Sequence, residues 1–76
     1  MRELLEYIAK AMVDNPEGVN VIEKETDNSI TLELRVADGD MGKVIGKQGR
    51  IAKAIRTVLQ AATAKGGRHT VLEILD

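Results

Sequence analysis

The chain has 76 residues, 43% of them hydrophobic and 30% charged, which suits one small folded domain and excludes a disordered segment. Cysteine is absent, so disulfide staples and thiolate chemistry are excluded, and no apolar run is long enough for a membrane span or a secretory leader. These features fit a reducing, cytoplasmic setting, and with Tyr7 as the one aromatic residue the core must be aliphatic.

Leu4, Leu5, Ile8, Met12 and Val13 recur at helical spacing, with Glu3, Glu6 and Lys10 between them. The spacing predicts an amphipathic helix over residues 2–13. Asp14-Asn15-Pro16 stops it, because proline cannot continue the hydrogen-bond ladder and disfavours helix at the residue before it. Residues 19–25 read as a short edge strand, and 26–29 as a turn rich in Thr, Asp, Asn and Ser. Ile30, Leu32, Leu34 and Val36 then alternate with Thr31, Glu33 and Arg35, the signature of a half-buried strand. Asp38-Gly39-Asp40 breaks it, and Asp40 is placed to cap a short helix through Met41 to Ile45. Ile51, Ile55, Val58, Leu59 and Ala62 mark one face of a longer helix over residues 50–64, ended by Gly66-Gly67. Residues 69–75 form a last strand, apolar on both faces at Val71, Leu72, Ile74 and Leu75, which places it inside a sheet.

The order is α-β-β-α-α-β. A two-helix crossover joins the last two strands, so they should pair in parallel. An α+β fold follows, with a three-stranded mixed sheet and three helices on one face, filling residues 1–76 as a single domain.

Between the two later helices lies Val44-Ile45-Gly46-Lys47-Gln48-Gly49-Arg50. Two glycines three apart permit a tight turn and close approach of another backbone. A turn that opens a helix presents unpaired N–H groups, which favour an anion. The charge around it agrees. Net charge is only −1, but residues 1–40 hold four basic and ten acidic side chains, and residues 41–76 hold seven and two. Lys43, Lys47, Arg50, Lys53 and Arg56 crowd about the glycine pair, with no Asp or Glu between Met41 and Leu72. A solvated helix face mixes its signs, whereas a one-signed stretch is the footprint of a polyanion site.

These residues resemble a KH domain, whose core is strand, helix, GxxG loop, helix and strand. Val44-Ile45-Gly46-Lys47-Gln48-Gly49 matches its motif, and Ile51, Ala52 and Ile55 continue the aliphatic helix that follows. The helix and strand placed before the core are similar to the type II arrangement. Length and the run from Asp40 to Ala62 resemble the small single-KH bacterial RNA-binding proteins of the KhpA/YlqC family. The resemblance implies a site for about four nucleotides of single-stranded RNA, with GxxG against the backbone. By motif position Gly46, Lys47, Gln48 and Gly49 hold phosphate, aided by Lys43, Arg50, Lys53 and Arg56. Val44, Ile45, Ile51 and Ala52 then line or underlie the groove, with residues 30–36 as its other wall. Ala52 departs from the large aliphatic residue common at that place. With no ring to stack on, bases rest on aliphatic surface. The resemblance further implies a homodimer, or a heterodimer with a second KH-containing RNA-binding protein. It also implies RNA chaperone or post-transcriptional regulatory activity, with links to cell-wall synthesis and cell shape.

Other chemistries find no support. An NTPase phosphate loop needs G-x-x-x-x-G-K-[ST], but Gly42 and Gly46 enclose three residues and Lys47 precedes Gln48. His69 is the sole histidine, so no metal site or cofactor is expected, and the carboxylates read as solvated faces and not as an enzyme's acid–base pair. The competing reading is a KH-fold interaction module with little affinity for RNA.

Overall fold

A computed structural model describes residues 1–75. Among them are helix α1 (Arg2–Met12), strands β1 (Asn20–Glu25) and β2 (Ser29–Arg35), helices α2 (Met41–Ile45) and α3 (Arg50–Thr63), and strand β3 (His69–Leu75). The architecture is the expected α+β one, with three helices and a three-stranded mixed sheet.

The sheet is built on β2. Thr26 nucleates the hairpin before it: its N–H donates to the Ser29 carbonyl at 2.8 Å, and its hydroxyl accepts the Ser29 N–H at 3.0 Å. This side-chain turn sets the antiparallel register of β1 on β2, with Val21 opposite Leu34 and Glu25 opposite Ile30. On its other edge β2 pairs in parallel with β3, Ile30 with Thr70 and Leu32 with Leu72. The order is β1-β2-β3, so the central strand is β2. The last strand, expected inside the sheet, is an edge. Its two faces are unequal: Leu72 is buried, while Val71 points to the open side and is 43% exposed.

One sheet face carries the core. Ile30, Leu32 and Leu34 are buried there beneath Leu5 and Ala9 of α1, Val44 of α2, and Ile55 and Leu59 of α3. Side chains alternate along a strand, so Thr31, Glu33 and Arg35 fall on the opposite, open face. At the end of α3 the Thr63 hydroxyl bonds the Leu59 carbonyl at 3.0 Å and meets the Thr70 hydroxyl at 2.6 Å, so this buried polar pair is satisfied and ties α3 to β3. Gly67, at φ 71°, turns the chain from α3 into β3.

Asp40 does something other than the expected capping of α2. Its carboxylate makes no bond to that helix. It accepts the N–H groups of Asp14 and Asn15, at 3.3 and 3.0 Å, from the segment that leaves α1. The N–H groups of Asp14 and Asn15, past the end of α1, have left the helical ladder and need acceptors, and a side chain 4% exposed must find partners for its polar atoms. Each need answers the other, and the start of α2 is anchored to the end of α1.

Candidate nucleic-acid interface

The anchored start matters because α2 is only five residues long and delivers the chain straight into the glycine turn. Val44 fixes the far end of α2 by complete burial in the core. Gly46 then takes φ 75° and ψ 176°, a backbone region open essentially to glycine alone. Space forbids a side chain too: a Cβ on Gly46 would lie 2.6 Å from Cγ1 of Ile51. Ile51, in the first turn of α3, is therefore packed directly against the loop backbone. Gly49 is different. It sits at φ 74° and ψ 15°, but a Cβ there would meet no atom within 4 Å. Between them Gln48, at φ 57° and ψ 26°, is the one non-glycine residue with positive φ among the described residues.

The turn closes with its own hydrogen bonds. The N–H of Gly46 donates to the Gly42 carbonyl at 2.9 Å, that of Gly49 to the Gly46 carbonyl at 3.2 Å, and that of Arg50 to the Lys47 carbonyl. The N–H groups of Lys47 and Gln48 open the turn and are not used to close it. Both residues are exposed. So the backbone donors offered by 46–49 come from the two residues between the glycines, and the glycines supply the shape. α3 starts directly behind them and runs for 14 residues with no acid in its first turn, so its positive end faces the same side.

The cations fall into distinct settings. Lys47 is exposed between the glycines. The Arg50 guanidinium donates to the Gln48 amide oxygen at 3.4 Å. Lys43 is held by Asp14, Nζ to Oδ2 at 3.4 Å. Lys53 and Arg56 are exposed. Buried Ala52, Ile55, Leu59 and Thr63 define the inner face of α3, and by helical geometry Lys53 and Arg56 lie on the flank turned away from α1, toward the β3 edge.

The apolar residues expected in a groove are divided by burial. Val44 is 0% and Ala52 6% exposed, so both are core residues beneath the site and present no groove surface. Ile45 and Ile51 are half-buried. The strand at 30–36 is no wall either. Its apolar residues Ile30, Leu32, Leu34 and Val36 are at most 6% exposed, because the apolar face that the family resemblance made a groove wall is the face the helices cover. Sequence reasoning missed a second feature beside the loop, a groove between α1 and α3 lined by Ile8, Met12, Ile51, Ala54 and Val58. Its signal was present as apolar residues on both helices beyond the width of one buried stripe.

A strand, a short helix, a GxxG turn, a longer helix and a second, parallel strand, preceded by an added helix and edge strand, make up the type II KH fold. Within that fold the family model described as KhpA/KhpB, KH domain matches residues 2–74, and the chain belongs to that family. It is 60% identical over 75 residues to the RNA-binding protein KhpA of Clostridium perfringens, covering 99% of this chain and 100% of that protein. Identity to the RNA-binding protein KhpA of Listeria monocytogenes is 51% over 76 residues, covering 100% of both. With the RNA-binding protein KhpA of Aquifex aeolicus it is 49% over 76 residues, covering 100% of this chain and 96% of the other.

Proposed function

We propose that this chain binds single-stranded RNA, with a phosphate seated on the turn at 46–49. The observation that carries the reading is the pair of turn-opening N–H groups, on Lys47 and Gln48, at the positive end of α3 and beside the exposed Lys47 ammonium. Relatives named RNA-binding proteins support the polymer class. The next phosphates follow Lys53 and Arg56 along the outer flank of α3, and bases turn inward toward the β3 edge. Arg50 steadies Gln48 and adds charge. Lys43 contributes less, since Asp14 competes for it. A duplex is disfavoured, because its paired bases cannot turn in against α3, and the first half of the chain is acidic.

A site of about four nucleotides makes few contacts, so one domain binds weakly, and pairing with a second KH domain raises affinity through effective concentration. The chaperone, regulatory and cell-wall roles implied by the family resemblance fit a weak, sequence-tolerant binder acting inside the cell and belong to this proposal. The test is the double variant Lys47→Asp with Gln48→Asp. Two negative charges replace the seat of the phosphate, so RNA binding is expected to fall at least tenfold while the fold persists. A folded double variant with unchanged affinity refutes the clamp.

A further inference from the structure

The glycine turn offers two N–H groups to a phosphate, and what steadies them lies at the other end of α2. A helix of five residues does not hold itself in water. Val44, buried in the core, ties α2 at one point. One tie leaves a short rod free to pivot, and a second fixes its direction. The second is the buried Asp40 carboxylate, where the chain enters α2. Its Oδ1 accepts the Asp14 N–H at 3.3 Å and its Oδ2 the Asn15 N–H at 3.0 Å, so both oxygens are held by the segment that leaves α1.

That segment is itself fixed. Pro16–Gly18 forms a tight helical turn, in which the N–H groups of Gly18 and Val19 donate to the Asn15 and Pro16 carbonyls at 3.0 and 3.1 Å. Gly18 lies against the link between β2 and α2, so close that a Cβ on it would stand 3.0 Å from Cβ of Ala37. The Asp40 N–H closes the same link by donating to the Ala37 carbonyl at 2.8 Å. Residues 14–18 therefore form a strap across residues 37–40, held at Ala37 by packing and at Asp40 by two hydrogen bonds. The strap also reaches toward the glycine turn. Its Asp14 carboxylate takes the Lys43 ammonium at 3.4 Å, one helical turn before Lys47.

We propose that Asp40 is a positioning residue for RNA: through α2, its carboxylate sets where the Lys47 and Gln48 N–H groups stand, about 10 Å away by the rise of the helix. The inference rests on the phosphate seat proposed above. A seat made of two backbone donors has no side-chain freedom with which to correct a misplaced loop, and hydrogen bonds weaken steeply as their angles depart from the ideal. A site left about 1 Å loose by its support loses much of its strength. Asp40 itself touches no RNA in this arrangement; it acts by denying α2 its pivot on Val44.

Asp40→Asn tests this. The amide fills the same space but offers one acceptor oxygen to two N–H groups, so one hydrogen bond is lost and the fold persists. Affinity for a short single-stranded RNA, measured by fluorescence anisotropy, should fall roughly three- to tenfold, the worth of one hydrogen bond. Thr63→Val is the control: it breaks the buried tie to Thr70 at the far end of α3, loses stability too, and should keep wild-type affinity. Coupling between two sites is reciprocal. In the wild-type chain, RNA at saturation should therefore slow hydrogen exchange of the Asp14 and Asn15 amides, a measurement that needs no variant to fold. The double variant Lys47→Asp with Gln48→Asp, measured alongside, separates the two claims. Loss of binding there, with wild-type affinity in a folded Asp40→Asn, overturns the positioning role and leaves the phosphate seat standing; unchanged binding there overturns both. An equal loss of affinity in Thr63→Val, or Asp14 and Asn15 amides whose exchange RNA leaves unchanged, also overturns the proposal.

Discussion

Replacing Gly46 with alanine is expected to cost far more than the same change at Gly49, although the two glycines occupy equivalent places in the motif. At Gly46 two penalties add. The backbone conformation, φ 75° with ψ 176°, costs a residue with a Cβ about 1–3 kcal/mol. The new Cβ would also stand 2.6 Å from Cγ1 and 2.9 Å from Cβ and Cδ1 of Ile51. Ile51 cannot simply swing aside, since its own Cβ is among the atoms struck, so overpacking adds about 1–3 kcal/mol. The sum is about 2–6 kcal/mol, of which the less flexible unfolded chain returns about 0.4–1 kcal/mol. A domain of 76 residues holds roughly 4–11 kcal/mol in all at about 0.05–0.15 kcal/mol per residue, so Gly46→Ala removes much of its stability. At Gly49 only the left-handed backbone is strained, at about 1–2 kcal/mol, and the less flexible unfolded chain returns about 0.4–1 kcal/mol of it. Net, Gly49→Ala costs about 0–1.6 kcal/mol. Urea unfolding followed by far-ultraviolet circular dichroism measures both. Ile51→Ala in the Gly46→Ala background removes two of the three struck atoms, and the double variant should be more stable than additivity predicts. Equal losses at the two glycines, or strict additivity with Ile51→Ala, would refute this reading of the turn.

Other consequences are open to direct measurement. Asp40→Ala leaves the N–H groups of Asp14 and Asn15 without their acceptor and should lower unfolding free energy by about 2–3 kcal/mol, read by chemical denaturation. Asp14→Asn frees Lys43 from a surface ion pair, so stability should move by no more than about 1 kcal/mol, while RNA affinity, measured by fluorescence anisotropy, should rise two- to threefold. Gln48→Val puts a β-branched residue at positive φ and should destabilise the fold by about 1–2 kcal/mol in the same urea titration. For RNA just long enough for one site, about three phosphate contacts give a plot of log affinity against log salt a slope of roughly −2; a slope steeper than twice that would show that the contact extends well beyond the turn and the α3 flank.

Much of the fold was legible because it rests on local pattern. The alternation from Ile30 to Val36 identified β2, and the periodicities of α1 and α3 gave helices within two residues of their observed ends. What failed was long-range. The apolar residues of β3 predict an interior strand, but pairing order decides which strand is central, and a hairpin on one edge with a crossover to the other puts β2 there. Asp40 read as a local cap because Asp at the head of a helix usually is one; its real partners lie 25 and 26 residues earlier in the chain. The glycine turn itself was legible from spacing and charge. The fates of Val44 and Ala52 were not, because periodicity marks an apolar face without saying whether core or solvent meets it. The groove between α1 and α3 escaped for the related reason that each helix is apolar beyond its buried stripe, and only their separation in space shows that the extra surface is uncovered.

The most direct test of the central claim is a titration of the isotopically labelled protein with a short single-stranded RNA, following backbone amide shifts by nuclear magnetic resonance. The turn-opening N–H groups of Lys47 and Gln48 should show the largest changes, followed by those of Lys53 and Arg56, with the open face of the sheet at Ile22 and Val71 unmoved. Largest changes on that open face or in the acidic first half, with the Lys47 and Gln48 amides unshifted at saturation, would contradict it.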